Sequence, residues 1–356
     1  MRFLTLNKCR EGMMIGKSIY GKNNVVLLRS GYPLKNGHLR ALANLGYPGV
    51  YIEDEISAGV EITEVVDTAV RLNASNAVNE LYENTKYLKQ ANTSQMAKGV
   101  IDSVAEIVSQ VADNRDPVIN ILSLKTYDEY TYQHCVDVTI LSVILGKELE
   151  LTRDQLKELG KAAIFHDIGK MQIPKYILDK PGSLTHLEYE EMKKHAELGY
   201  VITKNFLNQS EAVARGALLH HEKYSGEGYP KKLAGRQIPL FARIISIADS
   251  YDAIVSNRTY KKAMPSSEAY EYIMANSSSH FDPDIVNVFI RKVAPFPVGR
   301  TVRLSNGRDA LVVENRQNFI MRPLIKLLDR REGDRGGYID LAYDASATSV
   351  TVVEVI

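Results

Sequence analysis

The run Ala162-Ala163-Ile164-Phe165-His166-Asp167-Ile168-Gly169-Lys170 decides how the chain is read. Apolar residues carry a His-Asp pair to the end of a helix, and Lys170 stands one turn beyond His166. An imidazole offers one nitrogen to a cation, whereas a carboxylate has two oxygens and can bridge a pair of cations. A lone His-Asp dipeptide says little. The residues around it say more, because six of the eight histidines (His134, His166, His186, His195, His220 and His221) fall between positions 134 and 221.

Helical spacing aims most of these side chains inward. His134 shares a stripe with Val138, Leu141 and Leu145, and Glu188, Met192, His195 and Gly199 align on the next long helix. Val213, Ala217 and His220 line up on a third helix, with His221 at its end. Asp249 closes the apolar run Ile244-Ile245-Ser246-Ile247-Ala248, where an uncompensated carboxylate is costly. One histidine on an apolar face is ordinarily a hydrogen-bonded core residue. For His134, His166, His195, His220 and His221 together with Asp167 and Asp249, joint metal ligation is the simpler account. A set of imidazoles and carboxylates without cysteine suits two octahedral first-row ions, iron or manganese, better than structural zinc. Cys135 is turned about 100° of helix away from His134 and reads as core.

Composition narrows the class further. With 356 residues, 45% of them hydrophobic, the chain can bury large cores and form two or three domains. A net charge of +1 leaves no basic excess for a nucleic-acid polymer. No apolar run reaches bilayer-crossing length and Met1-Arg2-Phe3-Leu4-Thr5 lacks a signal-peptide pattern, so membrane insertion is not expected. Cys9 and Cys135, the two cysteines, lie far apart and fit a reducing compartment, the cytoplasm.

Four segments are expected. Residues 1–60 read as a small α+β unit, regulatory, dimerising or purely structural, with strands at Phe3-Leu4-Thr5-Leu6, Val25–Leu28 and Val50-Tyr51-Ile52. An Asn23-Asn24 turn and a helix from His38 to Leu45, stopped by Gly46, complete it. Residues 61–115 form a helical connector, with one helix opening at Val65 and Val66 and another marked by Val100, Ile101, Val104, Ile107 and Val108. That connector is a hairpin packed on the next domain or a homodimer interface. Residues 116–297 form an all-helical domain whose helix starts carry Thr126 with Glu129, Thr152 with Gln155, and Thr185 with Glu188 as capping boxes. Residues 298–356 form a small β appendage, with strands at Val302–Leu304, Ala310–Val313, Phe319–Leu328 and Ser349–Ile356. The Ser305-Asn306-Gly307 turn joins the first two, and the charged segment Asp329–Arg335 reads as a solvated hairpin loop.

Several separated motifs, agreeing in order and spacing over roughly residues 125–295, resemble the HD-GYP family of cyclic di-GMP phosphodiesterases. They are His166-Asp167-Ile168-Gly169-Lys170, Leu184-Thr185 with Glu188, Met192 and His195, and the run His220-His221-Glu222-Lys223-Tyr224-Ser225-Gly226-Glu227-Gly228-Tyr229-Pro230. Ile238-Pro239-Leu240, Ala242-Arg243-Ile244, Ala248-Asp249, Tyr251-Asp252-Ala253 and Ser256-Asn257-Arg258 continue the match. The resemblance implies a mainly α protein with an HD-type phosphohydrolase domain and a binuclear site. His134, His166 and Asp249 would hold one divalent ion, His195, His220 and His221 the other, and Asp167 would bridge them. Some members hold a third metal through a Glu one turn before the first histidine; this chain has Tyr130 there, beside Glu129, so two metals are expected.

The implied reaction is hydrolysis of cyclic di-GMP by a hydroxide bridging the metals, with either pGpG or, on a second cleavage, GMP as its end product. Asp167 and Lys170 take catalytic roles, and Lys170, Arg258 and Lys261 contact phosphate. Gly228, Tyr229 and Pro230 shape a substrate-recognising loop. Thr259 stands where the family usually has Pro, and Ser225 where many members have Asp. Glu222 and Asp252 either orient ligand imidazoles or pair with nearby cations. His186 is expected to be exposed and His280 structural. The alternatives are a receptor that senses the dinucleotide without turnover, and a phosphodiesterase for another cyclic nucleotide or dinucleotide.

Overall fold

The computed structural model describes residues 1–21, 25–85, 90–114, 130–256, 264–329 and 337–356. Asn23-Asn24, the Thr126–Glu129 pair, Arg258, Thr259, Lys261 and the charged residues 330–335 lie outside the described residues.

The chain opens on short strands, β1 (Arg2–Thr5), β2 (Met14–Ile15), β3 (Ile19–Tyr20) and β4 (Val26–Leu28). Helix α1 (Asn36–Asn44) and strand β5 (Gly49–Glu53) follow. β5 is the middle strand, antiparallel to β1 and β2, and β3 pairs with β4. Ile15, Leu34, Leu42, Val50 and Ile52 make the core beneath them. Gly46 takes φ +77°, a left-handed conformation that ends α1 without a Cβ clash.

Two long helices come next, α2 (Thr68–Thr85) and α3 (Gln90–Asp113). The sequence opened α2 at Val65; the helix begins at Thr68 instead. Side chains pin the preceding residues in another path, since Thr68 Oγ1 donates to Glu64 Oε2 at 2.7 Å and the Asp67 N–H donates to Gln110 Oε1 on α3 at 2.8 Å. Val70, Ala74, Val78 and Leu81 of α2 and Val100, Val104, Ile107 and Val111 of α3 join one continuous core with the helices that follow.

Those helices are α4 (Tyr130–Glu148), α5 (Arg153–Ile164), α6 (Lys175–Leu178), α7 (His186–Lys193), α8 (His195–Val201) and α9 (Glu211–Leu219). Then come α10 (Leu240–Val255), α11 (Ser266–Ala275) and α12 (Pro283–Lys292). Both capping boxes within the described residues form, at Thr152 with Gln155 and Thr185 with Glu188. α4 is buried nearly all round, from Cys135, Val138 and Leu141 through Leu145, so it runs through the centre of the bundle. The one long helix expected across Glu188–Gly199 is two, because the backbone tightens at Lys194, whose N–H reaches Glu191 O at 3.1 Å.

The C-terminal sheet contains β6 (Thr301–Leu304), β7 (Asp309–Glu314), β8 (Leu324–Leu327), β9 (Tyr338–Asp340) and β10 (Val352–Val355). Its order is β10-β6-β7-β8-β9, with every pair antiparallel. Of the run Phe319–Leu328 only Leu324–Leu327 is strand. The Arg322 N–H turns back to Phe319 O at 2.7 Å, and Pro323 has no N–H to give a ladder. β9 is three residues long, too short to show an alternating pattern. The molecule is thus mainly helical with small sheets towards both ends of the chain, and no helix among the described residues is long and apolar enough to cross a membrane.

Candidate metal centre

Three of the histidines are set by one local device. His166 lies just past the end of α5, His195 at the α7–α8 break, and His220 at the end of α9. Near helix ends carbonyls are short of partners. Each imidazole turns its Nδ1 onto the carbonyl three residues back: His166 onto Ala163 O at 2.7 Å, His195 onto Met192 O at 2.7 Å and His220 onto Ala217 O at 2.9 Å. Only a protonated Nδ1 can donate to a carbonyl, so in the neutral ring it is Nε2 that carries the lone pair. Those three Nε2 atoms are buried and have no hydrogen-bond partner among the described residues.

His134 sits mid-helix on α4, and a carboxylate orients it instead. Its Nδ1 lies 2.7 Å from Asp252 Oδ2 of α10, and its Nε2 lies 3.2 Å from Asp249 Oδ1 one turn earlier on that helix. Asp167 stands between the groups and uses its two oxygens differently. Oδ2 is 3.4 Å from His166 Nε2 and 3.8 Å from His134 Nε2, while Oδ1 is 3.6 Å from His195 Nε2 and 3.8 Å from His220 Nε2. Asp167, His195, His220 and His221 have donor atoms within 4.8 Å of one another; so do His134, His166 and Asp167, and His166, His220 and Asp249. All seven residues singled out in the sequence therefore meet in one place.

Electrostatics keep Asp167, His220 and His221 in the protonation states a cation needs. Burial favours a neutral Asp167, but the Lys170 ammonium and His166 outweigh it and hold the carboxyl well below its usual range. Burial and the neighbouring His221 push His220 well down, and burial with His195 beside it brings His221 to about 3. His134 goes the other way: burial lowers it, but the carboxylates of Asp249 and Asp252 beside it outweigh burial and raise it overall, so a cation there has a proton to displace. Each partnerless buried polar atom costs about 1–3 kcal/mol. Three inward lone pairs and the partnerless Oδ1 of Asp167 fit a cluster completed by divalent cations, and the arrangement is able to hold metal ions.

Lys170 lies on the turn Ile168–Gln172, with its Nζ against Asp167 Oδ2. Tyr229 stacks on His221, centroids 4.8 Å apart at 26°. The Lys193 ammonium lies 5.6 Å from the Tyr229 ring and 5.3 Å from that of Tyr189. Neither Lys193 nor Tyr189 stood out in the sequence, where their four-residue spacing on α7 looks like any exposed helix face. Asp252 orients an imidazole, as one of its two sequence readings had it. Glu222 does neither thing considered for it: its buried carboxylate accepts the N–H of Lys231 at 2.6 Å and of Leu233 at 3.0 Å, clamping the chain that follows Pro230. Gly228 is the close-approach glycine of this loop, since a Cβ there would lie 2.3 Å from Lys223 N and 2.6 Å from His221 O. His186 is exposed. The His280 carbonyl accepts the Tyr224 N–H at 3.0 Å, a structural contact for the same loop.

Glu222→Ala should strand two backbone donors and free the loop that carries Tyr229. The expected result is a loss of about 2–4 kcal/mol of stability and a raised KM with the metal content unchanged. Calorimetry and steady-state kinetics check it; an unaltered melt and KM would show that the clamp contributes nothing.

The HD domain family model matches residues 106–285. The chain is 40% identical over 226 residues to the cyclic di-GMP phosphodiesterase PA4108 of Pseudomonas aeruginosa, covering 64% of this chain and 54% of that one. It is 36% identical over 220 residues to a cyclic di-GMP phosphodiesterase of Thermotoga maritima, covering 61% and 59% respectively. Among solved structures, Bd1817, an HDG"Y"P protein from Bdellovibrio bacteriovorus, superposes with a TM-score of 0.50 at 17% identity, over 81% of this chain and 97% of that one, a likeness of fold alone. The chain belongs to the HD domain family, in its HD-GYP branch. It spans between half and three-fifths of the length of these two relatives.

Proposed function

We propose that the protein is a metal-dependent phosphodiesterase of the cytoplasm that opens cyclic di-GMP to linear pGpG. The observation that carries the reading is the Asp167 carboxylate, with one oxygen facing His134 and His166 and the other facing His195 and His220. Relatives named as cyclic di-GMP phosphodiesterases support the substrate. His134, His166 and Asp249 would hold one ion, His195, His220 and His221 the other, and Asp167 both; nitrogen and oxygen donors without sulfur favour iron or manganese. When bound, the ions supply Lewis-acid charge for phosphoryl oxygens and a nucleophilic oxygen at neutral pH.

The chain's own residues do the rest. Nδ1 hydrogen bonds hold three imidazoles with their Nε2 inward, so little reorganisation accompanies binding. Lys170, partly exposed beside Asp167, is positioned to take a phosphate oxygen of the scissile diester. Tyr229, stacked on His221, walls the site from water, and the Gly228–Pro230 loop receives the substrate. Arg258 and Lys261 are assigned further phosphate contacts from the resemblance. Opening the ring to pGpG adds one water across a P–O3′ bond and leaves a 5′-phosphate and a 3′-hydroxyl.

Incubating the full chain, loaded with manganese or iron, with cyclic di-GMP and separating the products by chromatography tests this. The expected result is pGpG, about two metal ions per chain, and activity abolished by a chelator and restored by metal. Tight binding of cyclic di-GMP with no pGpG would overturn the enzyme reading in favour of a receptor.

A further inference from the structure

Helix α7 runs up to the metal centre, and its outer face carries side chains that the proposed cleavage does not use. Tyr189, a large aromatic ring, is 47% exposed. The Lys193 ammonium, one turn further on, lies 5.3 Å from the centroid of the Tyr189 ring and 5.6 Å from that of Tyr229. Tyr229 in turn stacks on His221. Tyr189 is therefore one side chain removed from the loop that walls the site, and two from a proposed metal ligand.

The same ammonium meets a carboxylate. Lys193 Nζ is 2.6 Å from Glu190 Oε1, and the two side chains are 25% and 47% exposed. The hydrogen bond from Lys193 holds the Glu190 carboxyl below its ordinary range, so it is ionised at neutral pH. A partly exposed pair three residues apart on a helix is weak, and a ligand that satisfies both ends at once can insert into it. An ammonium only donates and a carboxylate only accepts. The ligand that fits carries an acceptor beside a donor on one edge, and a flat face to lie on Tyr189.

We infer that Tyr189, Glu190 and Lys193 form the subsite that selects guanine in the dinucleotide, an inference that rests on the substrate class proposed above. Guanine presents O6 next to N1–H and the N2 amine, the pattern that an ammonium beside a carboxylate complements. The base lies on Tyr189, Lys193 donates to O6, and Glu190 accepts from N1–H and N2–H. Adenine reverses this edge: its N6 amine would face the ammonium and its N1 lone pair the carboxylate. Both contacts are repulsive, and a site rejects a wrong base by leaving its own polar groups mispaired. Stacking tolerates either base, so Tyr189 supplies affinity and the charged pair supplies choice.

The test uses the full chain supplied with manganese, titration calorimetry as readout, and the phosphorothioate analogues of cyclic di-GMP and cyclic di-AMP, which resist cleavage, as probes. The guanine analogue should bind about tenfold or more tightly than the adenine analogue. Glu190→Gln should cancel that preference, because an amide offers adenine a donor for N1 and an acceptor for the N6 amine. Lys193→Met should weaken the guanine analogue about tenfold without weakening the adenine analogue. Tyr189→Ala should weaken both alike, and Tyr189→Phe neither. All three side chains reach solvent, and melting curves check that each variant folds. No preference in the parental chain, a preference that Glu190→Gln and Lys193→Met both leave unchanged, or parental binding in Tyr189→Ala would each overturn the assignment. Turnover of cyclic di-GMP is scored separately: hydrolysis without the base preference sinks the subsite alone, and the preference without hydrolysis sinks the enzyme reading alone.

Discussion

Asp167→Asn should lower turnover of cyclic di-GMP by about a thousandfold or more while the helical fold survives. The substitution keeps the shape of the side chain and removes its charge. In the proposed site that carboxylate is the one donor shared by both ions, with Oδ1 and Oδ2 directed at different imidazole pairs. Removing it leaves one ion with two imidazoles and Asp249, and the other with three imidazoles. Metal-supplied transition-state stabilisation is worth several kcal/mol, and each 1.36 kcal/mol is a factor of ten in rate. The Lys170 ammonium also loses the carboxylate it touches, so the centre becomes more positive and less hospitable to cations. Metal content measured beside kcat and a circular-dichroism melt reads all three consequences. A variant retaining two ions per chain and a tenth of parental kcat would show that the shared carboxylate is not the bridge.

Much of this centre was legible before any coordinates because helical periodicity survives in the sequence. His134 with Val138, Leu141 and Leu145, and His220 with Ala217 and Val213, each lie on the inward stripe of one helix, and all are buried. Asp249 was legible for another reason: a carboxylate in an apolar helix needs a partner, and it has His134. What could not be read was anything carried by backbone direction. The carbonyls of Ala163, Met192 and Ala217 have no sequence pattern, yet they settle which nitrogen of three histidines faces inward. Glu222 looked like a ligand-orienting acid because it adjoins two histidines, but its carboxylate closes on N–H groups nine and eleven residues further on. The break at Lys194 and the late start of α2 were hidden for the same reason. Lys194 is a good helix former, and Val65 and Val66 continue the apolar spacing of α2, yet tertiary contacts override both signals.

Gly169→Ala should destabilise the protein by about 3 kcal/mol through overpacking and remove most activity with it. In the His-Asp run this glycine looks like a spacer, but the structure places it where two backbones nearly touch. A Cβ at Gly169 would lie 1.9 Å from His195 O and 2.5 Å from Gly199 N. Both are main-chain atoms, so no rotamer change relieves the clash; either the turn carrying Asp167 and Lys170 or the start of α8 must retreat. Those two segments hold Asp167 Oδ1 and His195 Nε2 at 3.6 Å, so relief of the clash separates proposed ligands of one ion. Gly99 on α3 is the matched control: nothing among the described residues lies within 4 Å of a Cβ built there. Gly99→Ala should therefore stabilise by about 0.5–1 kcal/mol, the ordinary gain from replacing glycine within a helix. Opposite shifts in melting temperature for the same added methyl, with metal content falling only in Gly169→Ala, would tie the close packing of this turn to the assembly of the centre. Parental stability and metal content in Gly169→Ala would mean that the turn and α8 can part without disturbing the site, and the two halves of the cluster would then have to be held by something other than this contact.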